Sequence, residues 1–341
     1  MTFPTLSVHD ILTYMKPVIV SGIQPTGKLH LGNYLGVLKH LVELQNSGAY
    51  TCYFLIADLH SLTIEYTPKE KTEQIIDIAL DFLAAGIDPK KSTLFLQSAV
   101  PAHAELAWLL TTITPFGELR RMTQFKDKSE HAPENINVGL FSYPVLMAAD
   151  VLLYDATNIP VGDDQLQHLE LARTLARKFN SEFGKTFVEP KPMMTEVSRL
   201  MSLDDPEKKM SKSSPAGCVF LDDSPAIIKK KVMSAVTDSY SEVAYEPNTR
   251  PAMANLLHLY SAMSGEKIET IVSMYKGKGY ADFKKGLGEV IVNVLAPFQE
   301  KKKELRTHIE EVRTTLQKGA DTAKEAANKK LLIAKKKMGL I

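Results

Sequence analysis

Apolar residues recur along the first half of the chain in two alternating rhythms. Residues 17–21 form a short β-branched run, followed by a Gly/Pro-rich loop. Over 33–45, Leu35, Leu38, Leu41, Val42 and Leu44 fall at helical spacing. An aromatic-rich apolar run predicts a strand over 50–57. A helix closed by Gly86 follows over 69–85, then a strand over 93–96 and a helix over 102–113. A further unit places a helix over 144–154 with Pro144 at its first position, a strand over 158–161 and a helix over 163–179. Strands alternating with helices of this length predict parallel βαβ units with right-handed crossovers. Beyond Ser213 the alternation stops, and 224–236, 251–264, 266–275, 280–317 and 320–338 read as helical, with breaks at Pro, Gly and Asn. The pattern predicts an α/β, Rossmann-type doubly wound parallel sheet over 17–215 and an all-helical domain over 216–341. Residues 1–16 form an N-terminal extension, with a short helix expected over 7–15 behind Ser7.

Composition adds little to this. With 341 residues, 44% of them hydrophobic and 24% charged, the chain can bury two ordinary soluble domains. The net charge is +1, but its distribution is uneven. From Glu300 to Ile341 there are 12 Lys/Arg against 6 Asp/Glu. A basic end on a mildly acidic body fits a polyanion, but a solvated helix face is the plainer account of it. The two cysteines, Cys52 and Cys218, form no CxxC pair, which argues against a disulfide framework or a Cys-ligated metal. No apolar run reaches the length of a membrane span, and the first residues lack the marks of a signal peptide, so a cytoplasmic protein is expected.

Four places carry candidate chemistry. The loop Gly22-Ile23-Gln24-Pro25-Thr26-Gly27-Lys28-Leu29-His30-Leu31-Gly32-Asn33 joins a strand to a helix at the carboxyl end of the sheet, where open α/β sheets bind ligands. Its glycines admit close backbone approach, Asn33 can cap the helix, and the free N–H groups there favour phosphate. His30 can donate to charge developing on a phosphate. A plain turn with a capping Asn33 and a surface histidine fits the same residues.

The second place is Lys209-Met210-Ser211-Lys212-Ser213, where two lysines three apart on a loop can follow a triphosphate as a bond breaks. A solvated basic loop is its alternative. The third, Gly162-Asp163-Asp164-Gln165, follows a strand and can meet a ribose or an amino group, or simply cap a helix. The fourth is Ser142-Tyr143-Pro144-Val145-Leu146-Met147-Ala148-Ala149-Asp150. Met147 and Asp150 share a helix face, and Tyr143 leads into it. A carboxylate among apolar residues needs a partner. A flat apolar ligand with one N–H donor, such as indole, would serve, and so would an ion pair with a nearby Arg or Lys.

His30-Leu31-Gly32-Asn33 and Lys209 to Ser213 resemble, in this order, the two signatures of class I aminoacyl-tRNA synthetases. The strings 21–27, 122–126, 147–150, 160–165 and 201–203 further resemble bacterial-type tryptophanyl-tRNA synthetases, from about residue 18 onward. The resemblance implies that Gln24, Pro25, Thr26, Gly32 and Asn33 bind ATP, with Gly162, Asp163 and Asp164 against the ribose side and Leu200 at adenine. Lys209, Met210, Ser211, Lys212 and Ser213 would hold the phosphates, with Lys128 as a further contact. Lys209, Lys212, His30 and Gln24 would be catalytic. Asp150 would accept the indole N–H, with Tyr143, Met147, His60 and Gln165 completing an L-tryptophan pocket. One departure is Val20, where some members carry an aromatic residue, so packing on the indole is looser or supplied differently. Mg²⁺ would arrive on the triphosphate, with no protein metal site. The partners implied are tRNA for tryptophan, read by the helical domain, and a second copy in a homodimer. A tyrosyl-tRNA synthetase, a small-molecule nucleotidyltransferase and a non-catalytic paralogue are the competing readings.

Overall fold

Val-Ile-Val-Ser-Gly-Ile at Val18–Ile23 forms the central strand, β1, of a five-stranded sheet. A computed structural model describes residues 16–123, 136–194 and 200–341. The helix expected over 7–15 and Lys128 lie outside the described residues. β2 (Thr51–Ile56) and β3 (Thr93–Leu96) lie on one side of β1, and β4 (Asn158–Val161) and β5 (Lys191–Met194) on the other. All pairings are parallel and the order is β3-β2-β1-β4-β5, so the strand order reverses beside β1. Side chains alternate across the strands, as the twofold strand period requires. Ile19, Phe54 and Leu94 face one apolar core, and Val20, Leu55 and Phe95 face the other.

The first core is covered by α1 (Lys39–Ser47) and α2 (Pro68–Ala85). The second is covered by α3 (Ala102–Ile113), α5 (Val138–Leu152) and α6 (Leu166–Phe183), with the short α4 (Phe116–Arg120) packed on α5. Beyond the sheet run α7 (Pro225–Ser234), α8 (Pro251–Ser264), α9 (Ile268–Met274), α10 (Tyr280–Thr307) and α11 (Ile309–Lys337). The first core continues without a break into these helices through Met210, Val219, Leu257 and Leu287.

Four expectations change. Pro144 is not at a helix start: α5 begins at Val138, where the Asn137 side chain accepts the Leu140 amide. Tyr143, Met147 and Asp150 keep one face because they sit four and seven positions apart. Asn33 is not the cap of its helix. A turn at Leu31–Asn33 starts at His30, whose amide donates back to Asn33 Oδ1 at 3.1 Å, and a π-helical segment, Tyr34–Leu38, follows. The strand β5, of Lys-Pro-Met-Met, has no alternation to announce it.

The fourth change concerns the last helices. The break falls at His308, and α11 runs straight through Gly319. This glycine is a point of close approach: a Cβ on it would lie 1.9 Å from the Leu94 carbonyl oxygen of β3. The helix therefore lies on the sheet, with Ala320, Ala323, Ala327 and Ala334 in the second core. The boundary expected at 215 separates the chain by pattern but not by packing. Part of the basic end is neutralised here, since Lys330 pairs with Asp155 and Lys335 with Glu105, both at 2.7 Å. Gly319→Ala should destabilise the fold by about 2–3 kcal/mol, because a backbone oxygen cannot rotate away. Urea unfolding reads this, and a variant within 0.5 kcal/mol of the parent would contradict the close approach.

Candidate active site

The carboxyl ends of β1 and β4 open into one cavity of about 840 Å³. Near the end of β1, a Cβ on Gly22 would lie 2.7 Å from the Leu55 carbonyl oxygen, so only glycine lets the two strands stay this close. The chain then turns at Gly27, whose φ of 105° is a left-handed value that glycine adopts without strain. Gln24, His30, Gly32 and Asn33 line the cavity wall. Gly32 leaves room for the His30 ring, whose Nδ1 would be 2.9 Å from a Cβ there.

The two signature segments meet physically. Leu31 N donates to Val219 O at 3.0 Å and Leu221 N to Leu29 O at 2.9 Å, so the histidine loop pairs with the segment that follows Lys209–Ser213. Met210 N donates to Leu200 O at 3.0 Å and the Met210 side chain is buried, which roots the lysine loop in the first core. The lysines on either side emerge differently. Lys209 is exposed, and Lys212 is half-buried with its Nζ donating to Gly27 O at 3.1 Å. Burial lowers the Lys212 amine below its ordinary value.

His30 is buried, and this burial, reinforced by Lys212 and Lys209, lowers it from 6.5 to about 4. At neutral pH it is an uncharged imidazole. The unfolded chain takes up this proton near pH 6.5 and the folded chain only near 4, so stability falls as pH drops through that window. His30→Gln removes the titration. The stability advantage of the parent should therefore shrink by about 2 kcal/mol between pH 7 and 4.5 in urea unfolding. A constant difference would place His30 in solvent.

At the other end, Tyr143, Met147 and Asp150 present one face of α5 to the cavity. Val20 and Val161 add apolar wall. Asp150 is buried and held by protein donors: His103 Nδ1 at 2.6 Å and Gln97 Nε2 at 2.8 Å on Oδ1, with His60 Nε2 at 2.7 Å on Oδ2. Burial alone would raise this carboxyl, but hydrogen bonds and charge from His103 and His60 outweigh it and leave about 2. Asp150 is thus an ionised, acceptor-only group. The Arg or Lys partner that the sequence left open is replaced by two histidines and a glutamine. His60 faces this carboxylate as well as the cavity. Behind it, His103 Nε2 meets the Tyr154 hydroxyl at 2.8 Å. Tyr143 OH lies 2.8 Å from His168 Nε2.

Of the residues singled out by sequence, Gly162, Asp163, Asp164, Gln165, Leu200 and Ser211 also border the cavity. Pro25, Thr26 and Ser213 do not. The Pro25 carbonyl faces the interior, Thr26 N closes a turn on Gln24 O at 2.9 Å, and Ser213 Oγ meets Ser211 Oγ at 2.9 Å. Gln97, His103 and Tyr154 were missed. A histidine in the largely apolar helix Ala102–Ile113 was the available signal.

A parallel sheet whose switch point holds a glycine loop, a neutral histidine and two loop lysines defines a nucleotide-dependent enzyme that handles a phosphate chain. The chain matches the family described as tRNA synthetases class I (W and Y) over residues 15–296, and it belongs to that family. It is 48% identical over 326 residues to the tryptophan–tRNA ligase of Caldanaerobacter subterraneus, covering 95% of this chain and 98% of that one. Among solved structures, the Mycoplasma pneumoniae tryptophanyl-tRNA synthetase superposes with a TM-score of 0.86 at 36% identity, covering 95% and 98% of the two chains. The Campylobacter jejuni tryptophanyl-tRNA synthetase, solved with ADP and tryptophan, gives 0.82 at 34% identity, covering 94% and 99%.

Proposed function

We propose that this chain is a ligase that joins L-tryptophan to its tRNA at the expense of ATP. The observation that carries the reading is one cavity with two chemically opposite ends. An ionised acceptor set in an apolar wall lies at one end, and loop cations with a neutral histidine lie at the other. Indole is a donor only, so it matches Asp150, and its flat apolar body fits between Met147 and the valines. Phenylalanine has no N–H to offer Asp150 and forgoes that bond, which favours tryptophan over it. Tyr143 and Gln165 take the amino group.

ATP lies across the switch point, with Gly162, Asp163 and Asp164 at the ribose, Leu200 at adenine, and Gln24, Gly32 and Asn33 along the phosphates. The tryptophan carboxylate attacks the α-phosphorus, the bond to the bridging oxygen breaks, and pyrophosphate departs. Lys209 and Lys212 meet the charge that gathers on it, and His30 donates an N–H to the phosphate oxygens. The tRNA's terminal ribose hydroxyl then attacks the adenylate carbonyl and releases AMP. No protein nucleophile is needed, because positioning supplies much of the rate. The phosphate end is lined by cationic and neutral donors, which suit phosphate oxygens rather than a metal. Mg²⁺ would accordingly come bound to the triphosphate and water, and would supply neutralisation of phosphate charge.

The helices of 216–341 face the tRNA. Exposed apolar side chains on α3, α4 and α5, Trp108, Phe116 and Val138, fit a homodimer contact, which sedimentation would refute by finding monomers. Among the described residues no helix is long and apolar enough to cross a membrane, and the reaction belongs in the cytoplasm. Amino-acid-dependent ATP–pyrophosphate exchange tests the reading with tryptophan, tyrosine and phenylalanine in parallel. Exchange with tryptophan alone supports it, and exchange with tyrosine or with none overturns it.

A further inference from the structure

Lys71, in the first turn of α2, has no place in the scheme above, yet its amine is buried beneath the site. Nζ has three protons to donate and three neutral acceptors within reach: Pro25 O at 3.1 Å, Ser61 O at 3.2 Å and Ser61 Oγ at 2.9 Å. A buried ammonium is costly to keep, so this arrangement asks what it holds in place.

Its partners lie on two different loops. Pro25 follows Gln24 in the loop after β1. Ser61 lies in the 3-10 turn His60–Thr63 after β2, next to the histidine that bonds Asp150. The two loops are not equally well supported without the lysine. Ser61 N reaches Asp58 O at 3.1 Å, and Ser61 Oγ donates to Asp58 O at 2.7 Å. Asp58 in turn accepts the Ser98 amide at 2.9 Å, which braces the turn against the residue following Gln97. The Pro25 carbonyl, by contrast, meets the Lys71 amine, and proline has no amide N–H with which to add a bond of its own.

We propose that Lys71 is a positioning residue that braces the nucleotide loop against the rigid turn of the amino-acid pocket. Through the Pro25 carbonyl it sets the height of Gln24, the preceding residue, in the cavity wall, so that ATP meets a loop already in place. The amino-acid end does not depend on it, because His60 and Asp150 are fixed by other donors. The inference rests on the proposed reading of Gln24 as a contact of the ATP phosphates.

The test is Lys71→Met, which fills the stem's volume but donates nothing. In ATP–pyrophosphate exchange the KM for ATP should rise at least about tenfold, since a buried carbonyl is left unpaired and the loop shifts. The dissociation constant for tryptophan without ATP, read by calorimetry, should stay within about twofold, as for a contact that touches only one substrate. A merely structural lysine would move both together, or neither, and either result overturns the proposal. Ser61→Ala keeps the Pro25 bond, so its ATP KM should stay within about threefold, and a rise matching that of Lys71→Met also overturns it. If Lys71→Met does not fold, Lys71→Arg is read instead. Its planar head cannot reach the same three acceptors, so ATP KM rises while tryptophan binding holds, and unchanged ATP KM counts against the proposal. A parent enzyme that shows no tryptophan-dependent exchange fails the reading of function, whereas an active parent with an unaltered Lys71→Met variant fails this inference alone.

Discussion

Replacing Lys212 by alanine is expected to slow tryptophan-dependent ATP–pyrophosphate exchange by about 30- to 1,000-fold, or about 2–4 kcal/mol of transition-state stabilisation. Without ligand the Lys212 amine rests on the Gly27 carbonyl at 3.1 Å, in surroundings dry enough to lower its affinity for a proton. A triphosphate offers it oxygens of full charge in exchange for one neutral carbonyl. That exchange favours the state in which charge is moving onto pyrophosphate. The loss should therefore fall more on kcat than on the KM for ATP. Lys209 is exposed, and water screens its contact, so Lys209→Ala should lose less. Rapid-quench measurement of adenylate formation separates the two variants. A nearly intact rate in Lys212→Ala would remove the lysine from the reaction.

Asp150→Ala is expected to weaken tryptophan binding at least 100-fold while ATP binding stays close to the parent value, because a matched buried acceptor is removed from one substrate only. The structure adds a second effect that the sequence did not suggest. Asp150 is the common acceptor for His60, His103 and Gln97, and deleting it strands three buried donors. The fold should lose on the order of 3–5 kcal/mol as well. Its pH dependence has a definite sign. The folded carboxyl is lowered from 3.8 to about 2, so its contribution is complete above pH 4 and fades as pH falls toward 2. Parent and variant should converge in stability in that acid range alone. Calorimetric titration with tryptophan and unfolding from pH 7 to 2.5 read the two effects separately, and unchanged tryptophan affinity would rule out the indole contact.

Local pattern announced the elements whose apolar residues keep a regular period between clear breaks. The expected ranges 93–96, 102–113, 158–161 and 251–264 coincide with β3, α3, β4 and α8. At two of the places where the reading failed, a residue known as a breaker sits in mid-helix. Pro144 was read as a helix start and Gly319 as a helix end, yet each lies inside its helix. At Gly319 the reason is a carbonyl from a strand far back in the chain. Pairing of this kind leaves no periodic trace. The same limit applies to the cavity. The loops that line it carry recognisable strings, but the group that fixes Asp150 is assembled from residues 47 to 90 positions away. Composition around Asp150 showed only that a partner was required.

The docking of α11 on β3 and α3 also sets an order of events during synthesis. A nascent chain emerges N-terminus first, and Lys335 follows Glu105, its partner across that contact, by 230 residues. At roughly 5–20 residues per second, the ribosome makes β3 and α3 about 10–50 s before the part of the helix that covers them. Throughout that interval one side of the sheet, with Phe95 on it and Leu106 of α3 beside it, lacks its last cover and is open to a chaperone or to a neighbouring nascent chain.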